Sequence, residues 1–218
     1  MKTSCRWAAI AILGAVAALA QPQRLEITLE KQDAKGWRAV DPRLVLDPGD
    51  RVRFRARASF AGHLYVMNQS TSGQYSLLFP AEDTGRENRI EADREFVIPA
   101  TEGWFRIGGP PGHEIVWWLV SPVAFEGGEP PPPRLKRKTP AMTPRCDQTI
   151  LRARGACVDS SAGPQAAAEP ARVPENLAKI TGAASHELVF MRQKDAAVVS
   201  SPGGLAGPAI FEFRVAHR

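Results

Sequence analysis

Apolar and polar residues alternate with a period of two through most of Arg24 to Phe125, the signature of strands with one face buried. Leu25, Ile27 and Leu29 alternate with Glu26, Thr28 and Glu30. Asp47-Pro48-Gly49-Asp50 supplies turn chemistry. Beyond it Val52, Phe54, Ala56 and Ala58 alternate with Arg51, Arg53, Arg55 and Arg57. Five further runs are predicted as strands: 64–68, 75–79, 95–98, 104–107 and 114–120, separated by Gly62, Ser72-Gly73, Pro80, Gly103 and Gly109-Pro110-Pro111-Gly112. The expected fold is mainly β, an antiparallel sandwich or open barrel.

One run differs from the rest. Ile115, Trp117 and Leu119 face one side and Val116, Trp118 and Val120 the other, so both faces are apolar and the strand is expected to be central and covered twice. The chain offers its own cover. After a proline-rich stretch and a second one rich in alanine and proline, strand signals return at 187–191, 197–200 and 210–215, where Phe211, Phe213 and Val215 alternate with Glu212 and Arg214. Two or three strands alone are marginal, so these are expected to pack on or pair with the first sheet. The organisation expected is a signal peptide at 1–20, a β domain at 21–126, a connector with a disulfide loop at 127–185 and C-terminal strands at 186–218. Short helices are expected only at 148–153 and 175–180.

The first twenty residues combine Lys2 and Arg6, an apolar run from Trp7 to Leu19, and Ala18-Leu19-Ala20, in the order of a secretory signal. The run is shorter than the ~18 residues of a spanning helix, so no transmembrane segment is expected in the mature chain. Cys5 precedes the run and offers no lipid anchor. Cleavage removes two cations and no acid, lowering the formal charge from +5 to +3, too little to point to nucleic acid. An exported chain, periplasmic or secreted, then keeps Cys146 and Cys157 where thiols oxidise, and a disulfide between them is expected. Eleven helical steps would hold their Cα atoms ~16 Å apart against a limit of ~7 Å for a bridge, so the chain must fold back, with Gly155 as the bend.

Catalytic patterns are incomplete. A zinc helix needs a second histidine four residues after the first, but His113-Glu114 is followed by Trp117 and His186-Glu187 by Phe190. The four histidines, His63, His113, His186 and His217, are read as surface or strand-end residues. No Gly-x-Ser-x-Gly elbow occurs. Glu82, Asp83, Glu87, Glu91 and Asp93 crowd one loop but are interleaved with Arg86, Arg89 and Arg94, a charge-balanced surface. No catalytic, cofactor-binding or metal-ligating residue is assigned. The row Arg51, Arg53, Arg55 and Arg57, at ~7 Å intervals on one face, is the candidate anion-binding surface. If it lies beside Glu26 and Glu30, cross-strand ion pairs neutralise it instead.

Gly62-His63-Leu64-Tyr65-Val66, Leu77-Leu78-Phe79-Pro80, Asn88-Arg89, Ile98-Pro99 and Pro110-Pro111-Gly112-His113-Glu114 occur in that order. Together, over about Leu44 to Ser121, they resemble the bacterial family named domain of unknown function 4384. That resemblance implies an accessory role in sensing or interaction and carries over no catalytic residue. The expected function is a non-catalytic exported binding, interaction or scaffolding protein of the bacterial cell envelope, with an unidentified protein or envelope glycan as partner. A hydrolase of unfamiliar type acting on envelope polymers and a structural subunit of an envelope assembly stay open as alternatives.

Overall fold

The computed structural model describes residues 22–125, 143–147, 156–167 and 188–218. Thirteen strands are formed among them and no helix. The signal segment, most of the connector, Gly155, His186 and both helix candidates lie outside the described residues. Among the described residues no helix is long and apolar enough to cross a membrane.

Two antiparallel sheets pack face to face without closing into a barrel. In the first, β1 (Gln23–Asp33) lies beside β3 (Arg51–Ala58), with Leu25 opposite Ala58 and Lys31 opposite Val52. Two strands share the other edge of β1. Residues 23–28 pair with β12 (Ala196–Ser201) and residues 29–33 with β2 (Gly36–Val40). The far edge of β3 is shared likewise by β7 (Glu95–Ile98) and β8 (Phe105–Arg106), while β11 (Val189–Gln193) closes the sheet beyond β12.

The second sheet is built around β9 (Gly112–Ser121), which pairs with β4 (Gly62–Gln69) on one side and β13 (Ala209–His217) on the other. Outside β4 lie β5 (Tyr75–Phe79) and β6 (Arg89–Ile90); outside β13 lies β10 (Gly163–Ala166). The C-terminal strands therefore return as the sequence predicts, but by adding to both sheets edge on. They do not lie over the outer face of β9. That face joins Trp117 and Leu119 to Tyr65 and Met67, with Tyr75, Leu77, Phe125, Ala167 and Ile210 packed around them.

The alternation read from the sequence becomes the core between the sheets. Leu25, Ile27 and Leu29 meet Val52, Phe54 and Ala56 on one side, and Val116, Trp118, Phe211 and Phe213 on the other, all buried. Phe54 stands edge-on to both Trp118 and Phe213, each at 5.4 Å between ring centroids. Such contacts contribute about 0.5–1.5 kcal/mol each beyond burial. Three strands escape the sequence reading: β2, β6 and β10. The last has the sequence Gly-Pro-Gln-Ala, with little strand propensity, and lies in a stretch expected to be irregular. Its extended form comes from pairing with β13, Gly163 opposite Arg214 and Ala166 opposite Phe211.

Cys146 and Cys157 are joined in a disulfide with Cα atoms 4.8 Å apart. The described parts of this loop are sewn to the domain. The Val45 amide donates to the Cys157 carbonyl, and Val158 is buried against the bridge it forms with Leu44. Because β11, β12 and β13 supply strands to both sheets, deletion of residues 188–218 should abolish the cooperative thermal transition and not merely lower its midpoint. Circular dichroism melts of the truncated and full chains provide the comparison.

Candidate functional site

The arginine row resolves into unequal parts. Because β1 and β3 are neighbours, Arg57 faces Glu26, Arg55 faces Thr28 and Arg53 faces Glu30. The Glu30 side chain is buried and takes Arg53 Nε at 2.7 Å and Arg55 Nη2 at 3.0 Å. Arg55 also reaches Glu95 at 3.7 Å, and Arg57 lies 3.9 Å from Asp93. Three of the four guanidiniums thus lie within ion-pair distance of carboxylates, Arg53 and Arg55 through Glu30 across the strands, and Arg57 through Asp93 and not through Glu26 opposite it. Arg51 does not: its Nη1 donates to Gln32 Oε1 at 3.2 Å and its guanidinium carbon sits 4.4 Å from the Trp104 ring centroid.

His113 and His217 stand at strand ends, as expected, but they are buried and not on the surface. The reason is that the ends of β9 and β13 are themselves covered. His113 points from the outer face of the second sheet under the disulfide loop, where its Nε2 lies 3.3 Å from Asp159 Oδ2 and 3.3 Å from Ser161 Oγ. His217, fully buried on the other face, has Nε2 3.5 Å from Glu114 Oε1. Glu114 is fixed by Asn68, whose Nδ2 donates to Oε2 at 2.7 Å.

Serine, histidine and aspartate thus meet, but they are not wired as a relay. A catalytic aspartate orients the imidazole from the nitrogen opposite the nucleophile. Here Asp159 and Ser161 both address Nε2, and Ser161 Oγ donates at 2.6 Å to Asp159 Oδ1, so the serine proton is held by the carboxylate. Asp159 also accepts the Ser161 amide at 2.8 Å and the Arg145 amide at 2.7 Å. Burial alone would push its carboxyl up. The hydrogen bonds from Ser161 and Arg145 and the charge of His113 outweigh this and hold it below the usual value. The cluster fastens the disulfide loop to β9. No sequence signal marks it, because His113 lies 46 residues before Asp159 and 48 before Ser161.

The acidic loop is charge-balanced as read: Arg86 pairs with Glu82 at 3.5 Å, Arg94 with Glu91 at 3.2 Å and Arg57 with Asp93. Among the described residues, no three histidine, cysteine or carboxylate side chains gather into a metal-holding group.

An open cleft of 640 Å³ runs along one side of the sandwich, where the edge strands of the two sheets, β10 and β11, approach one another. Pro164, Phe190 and Met191 give it an apolar lining, and Arg43, Arg192 and Ser161 a polar one. Asp41 holds both arginines, Arg192 Nη1 at 2.8 Å and Arg43 Nε at 3.2 Å. Burial raises the Asp41 carboxyl, but hydrogen bonds from Arg43 and the charges of both guanidiniums bring it below its ordinary value. The sequence reading missed this cleft, since its walls come from segments 42–43, 160–165 and 190–197.

The Asp159 cluster has a defined pH signature. A carboxyl lowered in the folded state stabilises fully above its unfolded value of 3.8, and this contribution is lost as the pH falls through the lower folded value. Melting temperature should therefore fall more steeply below pH 3.8 in the wild type than in Asp159→Asn. At neutral pH, Asp159→Ala should cost about 1–3 kcal/mol by leaving buried donors unpaired. Thermal melts across pH test both.

No curated protein and no solved structure matches this chain. The strands from β3 to β9 carry the ordered motifs noted in the sequence. Residues 45–124, which hold these strands, match the family model described as Domain of unknown function (DUF4384).

Proposed function

We propose that this protein is an exported, non-catalytic binding or scaffolding protein of the bacterial cell envelope that engages its partner, a protein or an envelope glycan, at the cleft between β10 and β11. Export rests on the ordered cationic, apolar and small-residue segments of 1–20, and the Cys146–Cys157 disulfide suits an oxidising compartment. The observation that carries the binding role is the cleft itself. Its 640 Å³ lies within the 300–1,000 Å³ common for ligand sites, and its lining mixes Pro164, Phe190 and Met191 with the fixed polar groups of Arg43, Arg192 and Ser161. Met191, 47% exposed on an edge strand, gives a partner apolar area to cover. By contrast, the buried Glu30 and Asp159 carboxylates are engaged in contacts that hold strands and loops together.

A hydrolase is the second reading, because Ser161 both lines the cleft and lies 3.3 Å from His113 Nε2. For Ser161 to act as nucleophile its proton would have to pass to His113 and not remain on Asp159, as the 2.6 Å bond holds it.

A photo-crosslinking amino acid at position 191, in intact cells, separates the two. The binding role predicts a discrete adduct, reduced several-fold by Arg192→Glu. Absence of any adduct, together with Ser161-dependent labelling by a fluorophosphonate, would establish the hydrolase instead.

A further inference from the structure

On the outer face of the first sheet one arrangement of charge is left unexplained by the fold. Arg51 of β3 and Arg106 of β8 are directly opposite in the antiparallel register, and both are exposed. Like charges set across a ladder destabilise it. Elsewhere on this face the remedy is a carboxylate, as for Arg53, Arg55 and Arg57. Among the described residues no carboxylate lies within ion-pair distance of Arg51 or Arg106, and the nearby acids are engaged by other cations. Asp50 takes Lys31 at 2.6 Å, Asp47 takes Arg218 at 2.5 Å and Asp33 takes Arg38 at 2.8 Å.

What holds Arg51 orients it without neutralising it. Its hydrogen bond to Gln32 and its stacking on Trp104 fix the plane of the guanidinium. A second stack, Arg53 over Trp37 at 4.4 Å, lies nearby on the same face. Arg106 is placed by the Asp47–Asp50 turn, where the Gly49 amide donates to the Ile107 carbonyl at 2.8 Å, and a Cβ at Gly49 would stand 3.9 Å from Arg106 Nη2. The two planar forks rise from residues about 5 Å apart across the ladder, Arg51 against Trp104 and Gln32 and Arg106 beside the Gly49 turn.

We propose that Arg51 and Arg106 form an oxyanion site for the carboxylate or phosphate group of an acidic saccharide, with Trp104 giving the sugar ring an apolar face. Guanidinium forks match the planar oxygens of either anion. A bound anion also removes the like-charge opposition that the free protein carries. Trp104 is 43% exposed, so indole surface remains beside the guanidinium it supports. The row continues across adjacent strands through Gln32 to Trp37, its cross-strand partner, giving a flat strip of about 14 Å. An open strip of cations, an amide and indole faces suits a chain of hydrated rings. It lacks the deep apolar pocket in which a protein partner anchors its central residues. The site is separate from the cleft and does not depend on the role proposed for it.

Calorimetric titration of the purified protein with a galacturonate oligosaccharide tests this. Saturable binding is expected, weakening as salt rises, with Arg51→Gln and Arg106→Gln each lowering affinity about 10-fold or more, the scale of a charge-assisted hydrogen bond. Trp104→Ala should weaken the oligosaccharide more than inorganic phosphate, and Arg57→Gln should change neither. Without ligand, Arg106→Gln should melt no lower than wild type, since it removes a repulsion. The proposal is overturned if the oligosaccharide gives no binding, if both arginine variants keep full affinity, or if a neutral oligosaccharide binds as well. Equal binding of polyglutamate would also overturn it, by making the ligand a polypeptide.

Discussion

The pairing of β9 with β13 is the constraint on which the rest of the molecule depends. Nine consecutive residues are in register, from Ala209 opposite Val120 to His217 opposite Gly112. This brings Phe211 beside Trp118 and Phe213 beside Val116, and so assembles part of the aromatic core from the middle and the C-terminal end of the chain. It also fixes where the chain must go next to β13. Residues 163–166 take the remaining edge, and Leu46 bridges to His217 beyond them. The disulfide loop is then drawn over His113, which the same register has placed opposite Ala216. The segment that matches the family model is therefore not a closed unit here. Its central strand, β9, depends on β13 for one of its two neighbours.

The electrostatics follow from the same placement. Asp159 and Ser161 compete for one imidazole nitrogen, while amides from two segments converge on Asp159 and lower its carboxyl. On the exposed side, the Glu30 carboxylate satisfies two arginines at once, which leaves a neutralised centre and unbalanced cations toward the β8 end. The concave surface and the unpaired arginines thus lie on different parts of the molecule, the first between the sheet edges and the second on an open face.

Much of the fold was legible in the sequence because a period of two reports which face of a strand is buried. Val52, Phe54, Ala56 and Ala58 belong to the core for the reason their spacing suggests, and the two apolar faces of β9 are both covered. Alternation does not report which strand lies beside which. That is why the C-terminal strands could be expected to return, yet not to divide between two sheets. Strands such as β10 were illegible because their extended form comes from a partner and not from their own residues. The site follows the same division. The arginine row was visible, but its fate depended on the β1–β3 register and on β8, whose Arg106 gained significance only through being opposite Arg51. His113 carried no signal of burial, since the residues that cover it come from a loop far along the chain.

Native-state hydrogen exchange measures most directly whether the C-terminal strands are structural members of both sheets. If they are, amides of β12 and β13 should exchange with the same free energy as those of β1 and β9, through global unfolding alone. Exchange of β12 and β13 at markedly lower free energy, with β1 and β9 still protected, would show that they are attached to an already complete domain and would contradict this account.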